Sequence, residues 1–379
     1  MRARPWLTPS KDQLALWFNR KRTTPRPAEP AIAPGAPRAG SRRVFTRGSW
    51  AWRLTGLPMW MLEWHLDWAP AALLRALGDA DVRRADLVWV SAPHVRNLFV
   101  GEALSRLLRK PLVVDLRDPW TYGSLWLPRG ELVARVERAR ARRILSRAAR
   151  VVVTSPLTRA QMERRFPHAR FVTITNGFTI GEPIQPLREV APGKCLFRYI
   201  GVLNERRKPD PLLEGWAIAC KTPGLREKLH LEFVGGMAGH ERHISRLGLE
   251  DVVSTRGPVS FGDSLRLMRG SDVNVVLQTI SEGQDVIAGK TFEYLAAGKP
   301  VLGVVSENGG DAWLLERVGG AHLARYDDPE RIAAAIRACV QDVERGAPGP
   351  DPERLAAFDR RRLAATLAEL LDEVRLESR

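Results

Sequence analysis

From residue 86 onward, short apolar runs alternate with longer amphipathic ones, and the alternation stops once and starts again. DLVWVS (86–91), PLVVD (111–115), RVVVTS (150–155) and RFVTIT (170–175) read as buried strands. Between them lie NLFVGEALSRLLRK, ELVARVERARARRILSRAA and SPLTRAQMERRF, which have helical spacing, the last with a serine cap. Strands of this length separated by helices can close only as a parallel sheet with helices on its faces. The Pro- and Gly-rich stretch FTIGEPIQPLREVAPGK (178–194) breaks the pattern and is a predicted linker. The alternation then resumes with CLFRYIG (195–201), a helix over about 209–220, LHLEFVGG (229–236), a helix near 240–247 and DVVSTRG. A helix at DSLRLMRGS, the strand DVNVVLQ (272–278), the helix KTFEYLAAG and the strand PVLGVV (300–305) follow. Helices near 329–344 and 352–376 close the chain, and the last carries an apolar stripe at Leu355, Phe358, Leu363, Leu367, Leu370 and Leu371. That stripe predicts packing across a surface, back onto the first half.

The resulting division is a basic Pro- and Ala-rich stretch (1–48), a first α/β half (49–178), a linker (179–194), a second α/β half (195–350) and a C-terminal helix (351–379). A chain of 379 residues suits two cores. Residues 1–48 contain too little apolar material to offset the entropy of ordering and are expected to be mostly disordered. Trp50, Trp52, Trp60, Trp64 and Trp68 crowd the next segment. They either pack a helix onto the sheet or rest at a membrane interface beside the basic tail.

A formal net charge of +16 favours anionic partners, although no base-stacking or recognition module points to nucleic acid. Cys195, Cys220 and Cys339 have no metal or redox spacing and are expected to be core thiols in a reducing compartment. His240 and His243, in GHERH, are expected in a solvated turn rather than as metal ligands. No apolar run reaches the roughly 20 residues of a membrane span. MRARPWLTPSKDQ lacks the apolar core of a signal peptide, so a cytoplasmic location is expected.

Sheets of this kind bind ligands beyond the carboxyl ends of their strands, which directs attention to the turns there. In EGQDVIAGKTFEYLAAGKPVLGVV (282–305), a helix starting near Gly289–Thr291 ends at Gly298, ahead of Pro300. Lys290 and Glu293 share a face of its first turn. The helix N-terminus and the lysine favour phosphate, and the glutamate can accept from both hydroxyls of a ribose. An ordinary first-turn glutamate beside an exposed lysine fits equally. GKT (289–291) imitates a phosphate-binding loop, but five residues separate Gly283 from Gly289 where that loop has four, so we reject it. Arg206, Arg207 and Lys208 follow the strand ending at Gly201 and can grip a diphosphate. In the first half, His94, Asn97, Arg117 and Asp118 follow strands and face the same cleft. His94 and Asp118 are candidate acid–base groups and Arg117 a candidate electrostatic partner, while Asp115 or Asp118 pairing with Arg117 to hold the loop is the structural alternative.

K-T-F-E-Y-L-A-A-G-K-P-V-L resembles the Lys, Phe-Glu-Tyr-Leu-Ala-Ala-Gly and Lys-Pro block of family-4-like (group 1) bacterial glycosyltransferases of the GT-B fold. YIGVLNERRKPDPLLEGW (199–216), PLVVDLRDPWT (111–121) and VTITNGF (172–178) resemble three further blocks in the same order, and the likeness runs over roughly residues 60–375. The resemblance implies two Rossmann-like domains facing across a cleft, with the donor nucleotide sugar held by Gly201, Arg207, Lys208, Asp285, Lys290, Thr291 and Glu293. It gives Glu293 the ribose, and it implies retention of configuration with no cofactor and no obligatory metal. It also implies a glycan or lipid-linked acceptor at the inner membrane face, and the basic amino-terminal segment is compatible with peripheral contact to an anionic membrane there. Two departures stand out. Asp285 occupies the place of the first of two glutamates spaced in many members. No apolar strand with a glycine-rich turn precedes residue 86, so the first domain is expected to be incomplete. A sugar-nucleotide 2-epimerase of the same fold and a non-catalytic nucleotide-binding relic are the rival readings.

Overall fold

The computed structural model describes residues 69–92, 95–123, 130–179, 184–204, 207–237, 239–278 and 284–378. All of these fall in one compact unit spanning Trp60–Arg379. The basic stretch, the five clustered tryptophans, His94 and Arg206 lie outside the described residues, and so does the region ahead of the first strand up to residue 68; its described part, residues 69–85, holds two helices and no strand.

The first half opens with helices α1 (Ala69–Gly78) and α2 (Ala80–Arg84). Strands β1 (Val88–Ala92), β2 (Leu112–Leu116), β3 (Arg150–Val153) and β4 (Phe171–Thr173) then form a parallel sheet in the order β1-β2-β3-β4. Helices α3 (Val95–Leu108), α4 (Glu131–Arg147) and α5 (Pro156–Arg165) make the crossovers. β2 is buried at every position because helices cover both of its faces, which is why its residues other than Asp115 are apolar without alternation. The expected cap of α5 is present: the Ser155 hydroxyl accepts from Leu157 N at 3.2 Å.

The second half is a six-stranded parallel sheet of β5 (Cys195–Ile200), β6 (Leu229–Val234), β7 (Val253–Arg256), β8 (Val273–Leu277), β9 (Val301–Val305) and β10 (Ala321–Arg325). Their order is β10-β9-β8-β5-β6-β7. Helices α6 (Asp210–Ala219), α7 (Glu241–Arg246), α8 (Phe261–Gly270), α9 (Gly289–Ala296), α10 (Gly310–Val318) and α11 (Pro329–Arg345) complete it. The chain winds outward from β5 in one direction through β6 and β7, then returns to β8 on the other side. A crevice therefore opens at the carboxyl ends of β5 and β8, where successive crossovers part.

The sequence assigns no element to residues 306–328, yet α10 and β10 form there. α10 has no side-chain cap, starting after Gly309, and β10 is a partly exposed edge strand, so neither announces itself locally. The three cysteines are buried free thiols. Among the described residues, no helix is long and apolar enough to cross a membrane.

The predicted closing helix is broken. A single turn, α12 (Pro352–Leu355), and a 3₁₀ turn over Ala356–Phe358 precede α13 (Arg360–Glu377). Asp359 starts α13 by accepting from Arg361 N at 3.2 Å. The break redistributes the apolar stripe between two cores. Leu355 and Phe358 pack with Phe292 and Leu314 of the second half. Leu363, Leu367, Leu370 and Leu371 pack with Val113, Val152 and Ile174 of the first. Arg150 clamps the far end of α13 through Glu377.

Candidate functional site

At the crevice, β5 ends in Tyr199-Ile200-Gly201, and α9 is stitched to it. The Tyr294 hydroxyl accepts from Ile200 N at 2.7 Å and donates to Ile200 O at 3.1 Å. This fixes the first turn of α9 beside Gly201. Lys290 extends from that turn, donates to Tyr199 Oη at 2.8 Å and lies 4.0 Å from the centre of its ring. Gly201 has φ +152°, and a Cβ there would stand 2.8 Å from Lys290 Nζ. The missing side chain therefore leaves room for the ammonium.

Arg207 approaches the same place, and its Nε is buried without a hydrogen-bond partner. Its peptide N–H donates to Asn204 Oδ1 at 3.0 Å, closing the turn after β5. Burial first, and then the neighbouring Arg207 cation, pull the Lys290 pKa down from its ordinary value to about 7. Asp311 is the acid that opposes this shift, but burial raises its own pKa, and it is already engaged. Asp311 accepts from Thr291 Oγ1 at 2.6 Å and from Ala288 N at 3.0 Å. Two cations thus converge on a crevice without a carboxylate sufficient to neutralise them, a polar setting that favours a multiply charged anion.

Glu293 lies one turn further along, only 14% exposed, with Oε1 held by Arg360 at 3.1 Å. Lys208 is exposed, and its carbonyl accepts from Tyr326 at 2.9 Å. Thr291 is placed differently from Lys290. It is fully buried with its hydroxyl given to Asp311, so it braces the α9 N-terminus instead. The amide of Ala288, which precedes α9, is likewise taken by Asp311.

Asp285 stands apart from this cation pair and joins the two halves. Its Oδ2 accepts from Tyr122 at 2.6 Å and its carbonyl from Thr158 at 3.3 Å. Burial, followed by the hydrogen bond and charge of Asp285, raises the Tyr122 pKa well above its ordinary range. A cleft of about 440 Å³ opens here, lined by Tyr122, Gly123, Leu157, Arg164, Asp285 and Asn308 among others. A carboxylate already bonded across the cleft is less free to take a sugar hydroxyl than the sequence suggests.

In the first half, Arg117 bonds to Asp115 Oδ1 at 3.3 Å and to Asn176, while Ser91 donates to Asp115 Oδ2 at 2.8 Å. The structural alternative therefore describes Arg117 and Asp115, which hold the loop ends together. Asp118 receives no hydrogen bond from a described residue. Burial raises its pKa against the pull of Arg117. It remains the candidate acid–base group on this face. Asn97 donates to Ser91 O at 3.1 Å.

His243 is buried rather than solvated, and it converges with His240 on Asp210 at 3.4 and 3.3 Å. Among the described residues, no group of three His, Cys, Asp or Glu side chains is arranged to hold a metal ion.

Tyr199, Asp311, Tyr122 and Arg360 were not legible as site residues. Tyr199 sits in the YIG strand end, but nothing in its spacing marks it as the partner of a lysine in another helix.

Residues 14–177 match the family model described as glycosyl transferase 4-like domain, and residues 195–342 match glycosyl transferases group 1. A comparison with curated proteins found no match. Among solved structures, sucrose-phosphate synthase from Thermosynechococcus elongatus superposes with TM-score 0.61 at 18% identity, over 81% of this chain and 78% of that one. The Anabaena protein HepE in complex with UDP-glucose gives 0.60 at 20% identity, over 80% and 82%. The α,α-trehalose 6-phosphate synthase of Burkholderia multivorans gives 0.57 at 15%, over 82% and 77%. At such identities the likeness is one of fold, and the fold is GT-B: two parallel-sheet α/β domains.

Proposed function

We propose that a chain built of a glycosyl transferase 4-like domain followed by a glycosyl transferases group 1 domain transfers a sugar from a nucleoside diphosphate sugar to an alcohol acceptor. The observation that carries this is the cation pair at the β5–β8 crevice, where Lys290 and Arg207 meet beside Gly201. Their task is to clamp the diphosphate and stabilise the negative charge that grows on it as the sugar leaves. Glu293, one turn away on α9, takes the ribose hydroxyls.

The acceptor enters from the first half, past Asp118, whose raised pKa suits proton exchange with a hydroxyl. A glycan or lipid-linked intermediate is the acceptor class that follows from the family resemblance. The same resemblance supports retention of configuration without an obligatory metal, and the net charge of +16 with the basic amino-terminal stretch supports peripheral contact with an anionic membrane surface.

A panel of UDP, GDP, ADP and dTDP tests the donor site by thermal shift and calorimetry on the wild type and Glu293→Ala. UDP heads the panel because HepE was solved with UDP-glucose. The expected result is stabilisation of the wild type by one nucleotide, most of it lost in the variant. If none binds a folded protein, the donor reading is wrong and a non-catalytic scaffold takes its place. Recovery of an isomerised donor in the absence of acceptor would instead identify an epimerase.

A further inference from the structure

Where the chain leaves the first half and where it returns, the two crossings touch. Phe178 N donates to Phe358 O at 3.2 Å, and Arg360 N donates to Phe178 O at 2.9 Å. Phe178 and Asp359 form a parallel bridge. The contact depends on Gly177, because a Cβ there would stand 2.2 Å from Phe358 O. Arg360 begins α13, which carries on into the first-half core through Leu370 and Val374. Its backbone is therefore held from both sides before its side chain makes any contact.

That side chain forks. Nη1 donates to Thr179 Oγ1 at 2.9 Å on the outgoing crossing, and Nη2 donates to Glu293 Oε1 at 3.1 Å. Exposed ion pairs usually do little, because two long side chains must be ordered to form them. Here the Arg360 side chain is 54% exposed, but Glu293 is only 14% exposed, and Arg360 is tethered through its backbone and one guanidinium nitrogen. The carboxylate is thereby held in one orientation. Arg360 occupies Oε1, and no described residue donates to Oε2.

We propose that Arg360 is a positioning residue for the donor nucleotide: it orients Glu293 so that the free carboxylate oxygen meets the ribose diol, and ties that carboxylate to the paired interdomain crossings. The proposal rests on the donor reading above. A carboxylate that swings freely still repels or attracts charge at long range, but it loses directed hydrogen bonds to two vicinal hydroxyls. Arg360 therefore acts on recognition of the ribose and leaves the diphosphate clamp alone.

The test is calorimetry on the full chain with the tightest of UDP, GDP and ADP, each alongside its 2′-deoxy form. The proteins are wild type, Glu293→Gln, Arg360→Ala, Arg360→Lys and the double variant Glu293→Gln/Arg360→Ala. Loss of one oriented, charge-assisted hydrogen bond corresponds to about tenfold in affinity. Arg360→Ala should weaken the ribonucleotide by about that factor and the 2′-deoxy form by much less. The double variant should be no weaker than Glu293→Gln alone. Arg360→Lys, which has a point charge in place of the fork, should recover only part of the loss. It also supplies the same ribo-to-deoxy ratio should Arg360→Ala fail to fold. Equal losses for both sugars, or losses that add in the double variant, overturn the positioning role. Glu293→Gln losing affinity while both Arg360 variants bind normally overturns it and leaves the donor site intact. If no nucleotide binds the wild type, the donor reading falls and this proposal with it.

Discussion

Raising the pH from 7 to 9 should weaken nucleoside diphosphate binding by about fiftyfold, through Lys290 alone. In the ligand-free protein, burial and Arg207 hold this lysine near 7. A diphosphate placed against it supplies the counter-charge that the crevice lacks and returns the pKa toward its ordinary value of 10.5. Binding then requires the ammonium. At pH 7 about half of the molecules carry it, and at pH 9 about one in a hundred. The nucleotide is not the source of this dependence: a terminal phosphate titrating near 6 goes from about nine-tenths ionised at pH 7 to almost fully ionised at pH 9, a change of only about a tenth and in the opposite direction.

Proton uptake is the direct assay. At pH 8, titrations in Hepes and in Tris, whose ionisation enthalpies differ, should report about 0.9 proton absorbed per nucleotide bound. Lys290→Met should bind more weakly and absorb almost none. The stability of the ligand-free protein should move the opposite way. The unfolded lysine, with its ordinary pKa of 10.5, holds more protons than the folded one between about 7 and 10.5. Stability from this group therefore rises with pH across that range. An affinity that is flat from pH 7 to 9, or uptake near zero in the wild type, would refute the reasoning, because either requires a lysine already charged in the empty crevice.

Three further outcomes follow from the geometry. Gly201→Ala forces a side chain onto a φ of +152° and within 2.8 Å of Lys290 Nζ, so nucleotide affinity should fall about tenfold or more. Its unfolding free energy should drop by only about 1–3 kcal/mol, and calorimetry beside chemical denaturation separates the two effects. Glu232→Gln leaves the fully buried Arg198 facing a neutral amide and should cost about 3–5 kcal/mol in a urea titration. Burial by itself would raise the Glu232 pKa, but hydrogen bonds from Arg198 and Arg256 prevail and hold it below 4.5. Its contribution is present above 4.5 and disappears as pH falls through the lower folded value, a loss that should be absent from the acid-denaturation profile of Glu232→Gln. Tyr122→Phe removes the bond to Asp285 across the cleft and should lower stability by about 1 kcal/mol in thermal and urea melts.

Much of the architecture was legible because its signals are local. β2, β5, β8 and β9 are buried at every position, so their sequences are predominantly apolar without alternation, each of the first three interrupted by one buried polar residue (Asp115, Arg198 and Asn274). α9 ends where Gly298, at φ +71°, and Pro300 terminate it. Placing Lys290 and Arg207 together also needed little more than strand order, since both follow strands that flank the switch point. α10 and β10 escaped because a helix without a side-chain cap and a half-exposed edge strand leave weak periodicity. The closing helix misled because its stripe is regular, and only the presence of two separate cores explains why it breaks at Asp359.

What the tertiary structure alone decided is how each site residue is engaged. Thr291 and Asp285 sit in the same segment as Lys290 and look like its companions. The fold gives the first to Asp311, 20 positions away, and the second to Tyr122, 163 away. Glu293 reads as an ordinary first-turn carboxylate until α13 returns Arg360 to it across 67 positions. The sequence by itself determined which segments become strands and helices and which turns meet at the crevice, because backbone propensity and burial periodicity are written within a few residues. Which charges pair, and which are left to attract a ligand, depends on distances between remote segments and on what surrounds them, and only the folded chain sets those.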